Sequence, residues 1–196
     1  MIDGDGRHLR DHFDGCNLTS PDVCERVKRY FLEASPSCFP MFGVIRRQIL
    51  AETSLILPLV SSDKILLLQL ALKGKFHEVP ERLFYCREHP DRGSRQFRTF
   101  HGVATWYDPR NRGKCSFPRW RLAWEYLKAI GCAGLGVRAS HECVIAVLKW
   151  CRWNYRTFIR DLVLGVQYLG ARIVYSAEDL EKHDVGPGNP WSTWRL

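Results

Sequence analysis

The sequence predicts an α+β, predominantly helical fold: one helix-rich domain with a small, irregular β component. Three observations predict it. Apolar residues recur at helical spacing in several separated stretches. Helix-start and helix-stop residues bracket those stretches. Strand-like runs are short and lack clean alternation. Hydrophobic residues make up 45% of the 196 positions, enough for a sizeable core.

Ser20, Pro21 and Asp22 mark the first helix, as a capping hydroxyl, a proline at the first helical position and an acid in the first turn. Val23, Val27, Tyr30, Phe31 and Ala34 give its apolar face, and "SPSCFP" ends it. A second helix is expected from about 42 to 55, with Ile45 and Ile49 inward and Arg46, Arg47 and Glu52 outward. Pro58 stops or kinks it. Ser61 or Ser62 caps a third helix through Leu72, closed by Gly74, and Pro80 opens a short fourth. Residues 87–116 change character: charge is dense, glycines recur, "RQFRTFHGVATWYDP" has strand-like content, and "DPRNRGK" reads as a basic turn. Helix returns at Pro118, with Trp120, Trp124, Leu127 and Ile130 on one face and Gly131 at its end. Ser140 caps the longest candidate, about 141–169, whose stripe runs through Val144, Val147, Leu148, Cys151, Tyr155, Phe158, Ile159, Leu162 and Val166. "ARIVYS" is a strand candidate, and Ser176 caps one more turn. The expected organisation is a flexible segment at 1–18, a single helix-rich domain at 19–185 and a tail at 186–196.

The net charge of +8 permits nucleic acid, an acidic membrane surface or an acidic protein as partner, without choosing among them. No apolar run approaches the roughly 20 residues of a membrane span. The polar start, "MIDGDGRHLRDHFDG", does not read as a signal or transit peptide. Eight cysteines in such a chain are expected to be reduced and mostly buried, in the cytoplasm or nucleus.

Candidate chemistry is sparse. Cys132 and Arg138 have the count of a phosphatase loop, but an amphipathic helix precedes the Cys, and a Gly-rich turn between helices explains the pair as well. Cys86, His89, His101 and Cys115 offer four zinc-ligating types, with a close Cys-x2-His pair and a looser second pair. His8, His12, Cys16 and Cys24 are a weaker set. There is no Gly-rich phosphate loop, nucleophile elbow or His-Glu-x-x-His, so no enzyme, cofactor or metal is expected. Arg92, Arg95, Arg98, Arg110, Arg112 and Lys114 flank Phe97, Phe100, Trp106 and Tyr107, a mixture that can grip single-stranded RNA through phosphates and stacking. Trp191 and Trp194 either fold back on the domain or enter pockets on a partner.

The stretch "TSLILPLVSSDKILLLQLALKGKFHEVPERLF" joins a Leu-Pro pair, Leu57-Pro58, to an apolar helix. A helix emerging after a proline, with Leu57, Val60 and the following leucines on show, can lie in a partner's groove. "CFPMF", then "SLILPLVSS", then "VPERL", and "ARIVYSAEDLEKH" near the C-terminus, stand in the order seen in the P-zero family of polerovirus and enamovirus silencing suppressors, which this chain resembles. The resemblance covers roughly 38–83 and 171–183. It implies a minimal F-box at Leu57, Pro58 and Val60, with Pro80 as the later proline and Leu83 beyond it. It also implies a Skp-type adaptor of a cullin ubiquitin ligase and Argonaute as partners, in the host cytoplasm or nucleus; with such a partner, the pockets that Trp191 and Trp194 would enter are on Argonaute. Ser61 stands where the family motif has Leu or Ile, and Pro80 lies further downstream than the family spacing. A basic RNA-binding suppressor using residues 92–114 and a zinc-dependent interaction module are the rival readings.

Overall fold

α-Helices carry most of the backbone in the computed structural model, which describes residues 1–12, 18–32, 38–88 and 100–174. They are α1 (Val23–Leu32), α2 (Arg47–Ala51), α3 (Ser62–Lys73), α4 (Phe100–Tyr107), α5 (Pro118–Cys132), α6 (Val137–Trp153) and α7 (Tyr155–Val174). Among the described residues, 3-10 turns at Phe39–Phe42 and Pro109–Asn111 lie between them. Among the described residues the β structure is limited to two isolated bridges, from Ile2 to His8 and from Ile2 to Arg87. The chain divides into two units: Met1–His12, Glu81–Pro118 and Arg160–Leu196 form the first, Phe13–Pro80 and Arg119–Ile159 the second.

In the second unit α3 is apolar on every side. Ile65, Leu66, Leu67, Leu68, Leu70, Ala71 and Leu72 are all buried. A helix sunk that deeply leaves its last carbonyls without water, so each needs a protein donor. The Gly74 N–H donates to the Leu70 carbonyl at 2.8 Å. Arg26 of α1 takes the next two: its Nε donates to the Ala71 carbonyl at 2.8 Å and Nη2 to Leu72 at 3.4 Å. Nη1 donates to the carbonyls of Ser20 and Pro21, both at 2.9 Å, closing the entry to α1. One turn on, the Tyr30 hydroxyl donates to the Lys64 carbonyl in the first turn of α3, at 2.6 Å. The two contacts fix α1 antiparallel to α3.

The start of α1 differs in detail from the expectation. Asp22, not Ser20, is the cap: its Oδ1 accepts from the Cys24 N–H at 3.0 Å, while the Ser20 hydroxyl donates to Glu25 at 2.7 Å. Ala34 lies outside the described residues. An aromatic chain then fills the space between α1, α5 and α6. Phe31 meets Tyr126 at 5.0 Å, Tyr126 meets Trp150 at 5.4 Å and Trp150 meets Phe158 at 5.7 Å, each ring edge against face. The buried side of α5 is Leu122, Tyr126, Ala129 and Ile130, with Arg119 and Glu125 beside them, whereas Trp120 and Trp124 are exposed. Trp120 still donates its indole N–H to the Phe158 carbonyl at 3.3 Å.

Other elements depart further. The helix expected over 42–55 shrinks to the five residues of α2, after a turn whose Gly43 N–H donates to Pro40. Pro80 opens no helix; residues 79–86 are irregular. The long helix expected over 141–169 is two helices. It starts earlier, at Val137 after Gly136, and breaks at Asn154. The Asn154 amide donates to the Trp150 carbonyl at 2.8 Å, ending α6, and its carbonyl accepts from the Thr157 N–H at 2.8 Å, beginning α7. Residues 171–174 of the "ARIVYS" strand candidate are the last turn of α7, and residues 100–107 of the other strand-like run are α4. The turn expected after Ser176 lies outside the described residues.

In the first unit, residues 1–12, expected as part of a flexible lead-in, pair with residues 82–88. Ile2 donates to Cys86 at 2.9 Å and accepts from Glu88 at 2.8 Å, and Arg82 pairs with Asp11 at 2.9 Å. α7 lies against residues 113–117. The Cys115 thiol donates to the Gly165 carbonyl at 3.5 Å, and Arg172 reaches the Gly113 carbonyl. The Phe117 ring sits so close to Gly165 that an added Cβ would come within 2.3 Å of it.

Removing the Arg26 fork should be costly because it orphans buried carbonyls. Arg26→Met is expected to lower the unfolding free energy by about 3 kcal/mol, read from the guanidinium chloride midpoint. Arg26→Lys should recover less than half of that loss, since an ammonium lacks the planar fork that reaches two carbonyl pairs at once.

Candidate functional site

The Leu-Pro stretch forms a shaped loop rather than the start of a helix. α3 begins four residues after Pro58, at Ser62. The loop is anchored to the side of α3 before it turns out to solvent. The N–H and hydroxyl of Ser54 both donate to Gln69 Oε1, at 2.9 and 3.1 Å, and Lys73 pairs with Glu52 at 2.8 Å. Thr53 Oγ1 donates to the Leu50 carbonyl at 2.7 Å and accepts from the Leu55 N–H at 3.2 Å. The Leu59 N–H donates to the Leu57 carbonyl at 2.8 Å, so Pro58 is the centre of a three-residue turn. Leu55 and Ser61 stand in the left-handed region, at φ 55° and 64°, which non-glycine residues occupy at a cost.

These constraints sort the apolar side chains of the loop. Leu55, Ile56 and Pro58 are exposed, while Leu57 and Leu59 are half-buried against the core. Val60 is 5% exposed, and the leucines of α3 are buried. The expectation that Val60 and the following leucines are on show is thus corrected: α3 uses its whole circumference in the core. The sequence does not mark Leu55 and Ile56 as surface residues, because nothing local signals a left-handed leucine or a glutamine fifteen residues away that holds the loop.

Pro80 is exposed, with Val79 beside it. Leu83 belongs to the first unit and is 74% exposed, followed by exposed Phe84 and Tyr85. The basic turn is also in the first unit. Asp108 accepts from the Arg110 N–H at 3.0 Å and from its Nε at 2.9 Å; that hydrogen bond holds the carboxyl below its ordinary range. Arg110, Arg112 and Lys114 are exposed, and Trp106 and Tyr107 stack edge to face at 5.0 Å with their outer surfaces in solvent. Arg92, Arg95, Arg98 and Phe97 lie outside the described residues, as does the side chain of Phe100.

Of the zinc candidates, Cys86 and Cys115 are both half-buried in the first unit. His89 and the side chain of His101 lie outside the described residues. Among the described residues no three His, Cys, Asp or Glu side chains gather as a metal site. His8 bonds Asp11 at 3.0 Å, Cys24 is buried in the second unit beside Cys143, and Cys16 lies outside the described residues. Cys132 is exposed at the end of α5, and Arg138, in the first turn of α6, turns to Glu142 at 3.4 Å. Trp191 and Trp194 lie outside the described residues. No helix among the described residues is long and apolar enough to cross a membrane. Comparison with known proteins returns no matching family model, no matching curated protein and no matching solved structure.

Two measurements follow from the burial pattern. Val60→Asp should cost more than about 3 kcal/mol of stability by burying a charge, whereas Ile56→Asp and Pro58→Ala should stay within about 1 kcal/mol, as thermal melts would show. The thiols should separate as sharply. Burial pushes the Cys143 thiol up to about 12 and raises that of Cys24, so neither carries much thiolate near neutral pH. Alkylation at pH 8 with mass mapping should label Cys132 in the native protein and leave Cys24 and Cys143 unlabelled until denaturant is added.

Proposed function

We propose that the protein suppresses host RNA silencing as an F-box-like adaptor, recruiting a Skp-type component of a cullin ubiquitin ligase and directing Argonaute to degradation. The carrying observation is the loop at 53–61, in a chain whose "CFPMF", "SLILPLVSS", "VPERL" and "ARIVYSAEDLEKH" stand in the order of the P-zero suppressors. Pro58, Leu55 and Ile56 are presented together on a loop anchored at Ser54, a geometry that favours seating in an apolar groove at low ordering cost. In this reading the contact edge is Leu55, Ile56 and Pro58. Leu57 braces the turn from its inner side, and Val60 holds the loop to the core. Pro80 and Leu83, both exposed, are further candidate contacts.

The test is binding of a purified Skp-type adaptor, with reporter silencing in leaf cells alongside. Ile56→Asp combined with Pro58→Ala should weaken adaptor binding at least tenfold and abolish suppression, while the melting temperature stays close to wild type. Unchanged binding by a folded double variant would overturn the reading.

The paired exposed rings of Trp106 and Tyr107 beside Arg110, Arg112 and Lys114 favour a second reading, direct binding of single-stranded RNA. Arg112→Ala with Lys114→Ala should then reduce the slope of log affinity against log salt by roughly 1.4, two phosphate contacts on a single strand. A chain with no salt-dependent RNA affinity excludes it.

A further inference from the structure

The longest helix among the described residues, α7, carries an exposed apolar stripe. The inner side of α7 is occupied: Phe158, Asp161 and Gly165 are buried, and Phe117 lies on Gly165. About a quarter-turn around the helix from that side, Tyr155, Ile159, Leu162, Val166, Leu169 and Ile173 are all exposed, Val166 at 67% and Ile173 at 88%. An apolar stripe that ordinarily faces a core here faces water for the full length of the helix.

The spacing of the stripe identifies what fits it. The steps between successive residues alternate four and three throughout, which is the heptad seam of a coiled coil. One set of positions holds Ile159, Val166 and Ile173, all β-branched. The other holds Tyr155, Leu162 and Leu169. β-Branched residues at the first set with leucine at the second are the combination that favours two parallel strands over three or four. One flank of the middle of the seam is Val163 and Gly170, which carry no charge, and the other is Phe158 and Gly165, already packed within the chain, so no like charges oppose a second identical helix there. Gly170 has open space around it and lets backbones approach. Six side chains, each showing on the order of 100 Å2, give roughly 600 Å2 per copy, near the ~800 Å2 per partner of a standard interface.

We infer that α7 is a dimerisation helix, pairing with α7 of a second copy of this chain in parallel and in register along Ile159, Leu162, Val166, Leu169 and Ile173. The pairing does not depend on the adaptor reading, because the 53–61 loop contributes nothing to it.

Sedimentation velocity of the full chain from about 1 to 100 μM tests the inference. A dimer that Val166→Glu converts to a monomer, with at least tenfold weaker self-association and unchanged helical circular dichroism, is the expected result. A wild-type chain that stays monomeric over this range overturns it, whether residues 175–196 cover the face or the helix binds anionic vesicles instead. A dimer unmoved by a folded Val166→Glu chain overturns it too. Should that variant fail to fold, Ile173→Cys decides. Under mild oxidation a parallel pair brings the two residues 173 together, and peptide mapping should find a 173–173 disulfide. A dimer lacking that cross-link overturns the parallel seam.

Discussion

A single guanidinium sets the frame of the second unit. α3 is apolar around its whole circumference, so its terminal carbonyls end inside protein. Arg26 satisfies two of them and, with its other arm, the two carbonyls that lead into α1. Burial pushes the guanidinium pKa down from its ordinary value, yet an arginine so basic keeps its charge. Its positive charge also suits the negative end of the α3 dipole. With α1 held there, Tyr30 reaches Lys64 and Phe31 meets Tyr126, which starts the aromatic chain toward Trp150 and Phe158. The Leu-Pro loop depends on the same arrangement, because its anchors Gln69 and Lys73 are carried by α3.

Much of the helix order was legible: at α1 a proline and an acid precede a periodic apolar face, and at α3 an unbroken apolar run ends at Gly74, although the expected Ser61 cap makes no side-chain bond. It failed where two faces compete. On α5, Trp120 and Trp124 are the bulkiest apolar residues and suggest the inner side, but Leu122, Tyr126, Ala129 and Ile130 are equally periodic and are the ones buried. Bulk misleads because tryptophan carries a polar N–H, and Trp120 spends it on the Phe158 carbonyl. The stripe from Val144 to Val166 hides the break at Asn154 for a related reason. Periodicity runs through the site, while the side-chain amide and Thr157 supply the local bonds that end one helix and begin the next. The β-branched run in "ARIVYS" suggested a strand, yet residues 171–174 continue α7, with Arg172 bonded to Gly113. Propensity is a weak prior against helix already in progress.

The candidate site was legible only as a motif. Leu57-Pro58 could be picked out from the sequence, but which neighbours face solvent depends on two left-handed residues, Leu55 and Ser61, and on a glutamine fifteen positions later. A one-residue change of direction at each end turns Val60 inward and Ile56 outward. That inversion matters for experiment. A charge at Val60 disrupts the core, so loss of binding there would report unfolding, whereas changes at exposed Ile56 and Pro58 test the proposed contact itself.

The 53–61 loop and the apolar stripe of α7 share no residue and, among the described residues, no hydrogen-bond partner. Effects at sites that share no partner add, while those on a shared network do not. Ile56→Asp should therefore weaken adaptor binding by the same factor in dimeric wild type and in a Val166→Glu monomer, measured per site on adaptor free in solution. Surface-bound adaptor should behave differently. Two loops on one dimer raise the effective concentration of the second contact, so apparent affinity on a dense surface should drop on Val166→Glu even though the loop is untouched. Equal apparent affinity in the two formats for both chains would mean that the dimer cannot engage two adaptors at once, which would leave the seam a role in stability rather than in recruitment.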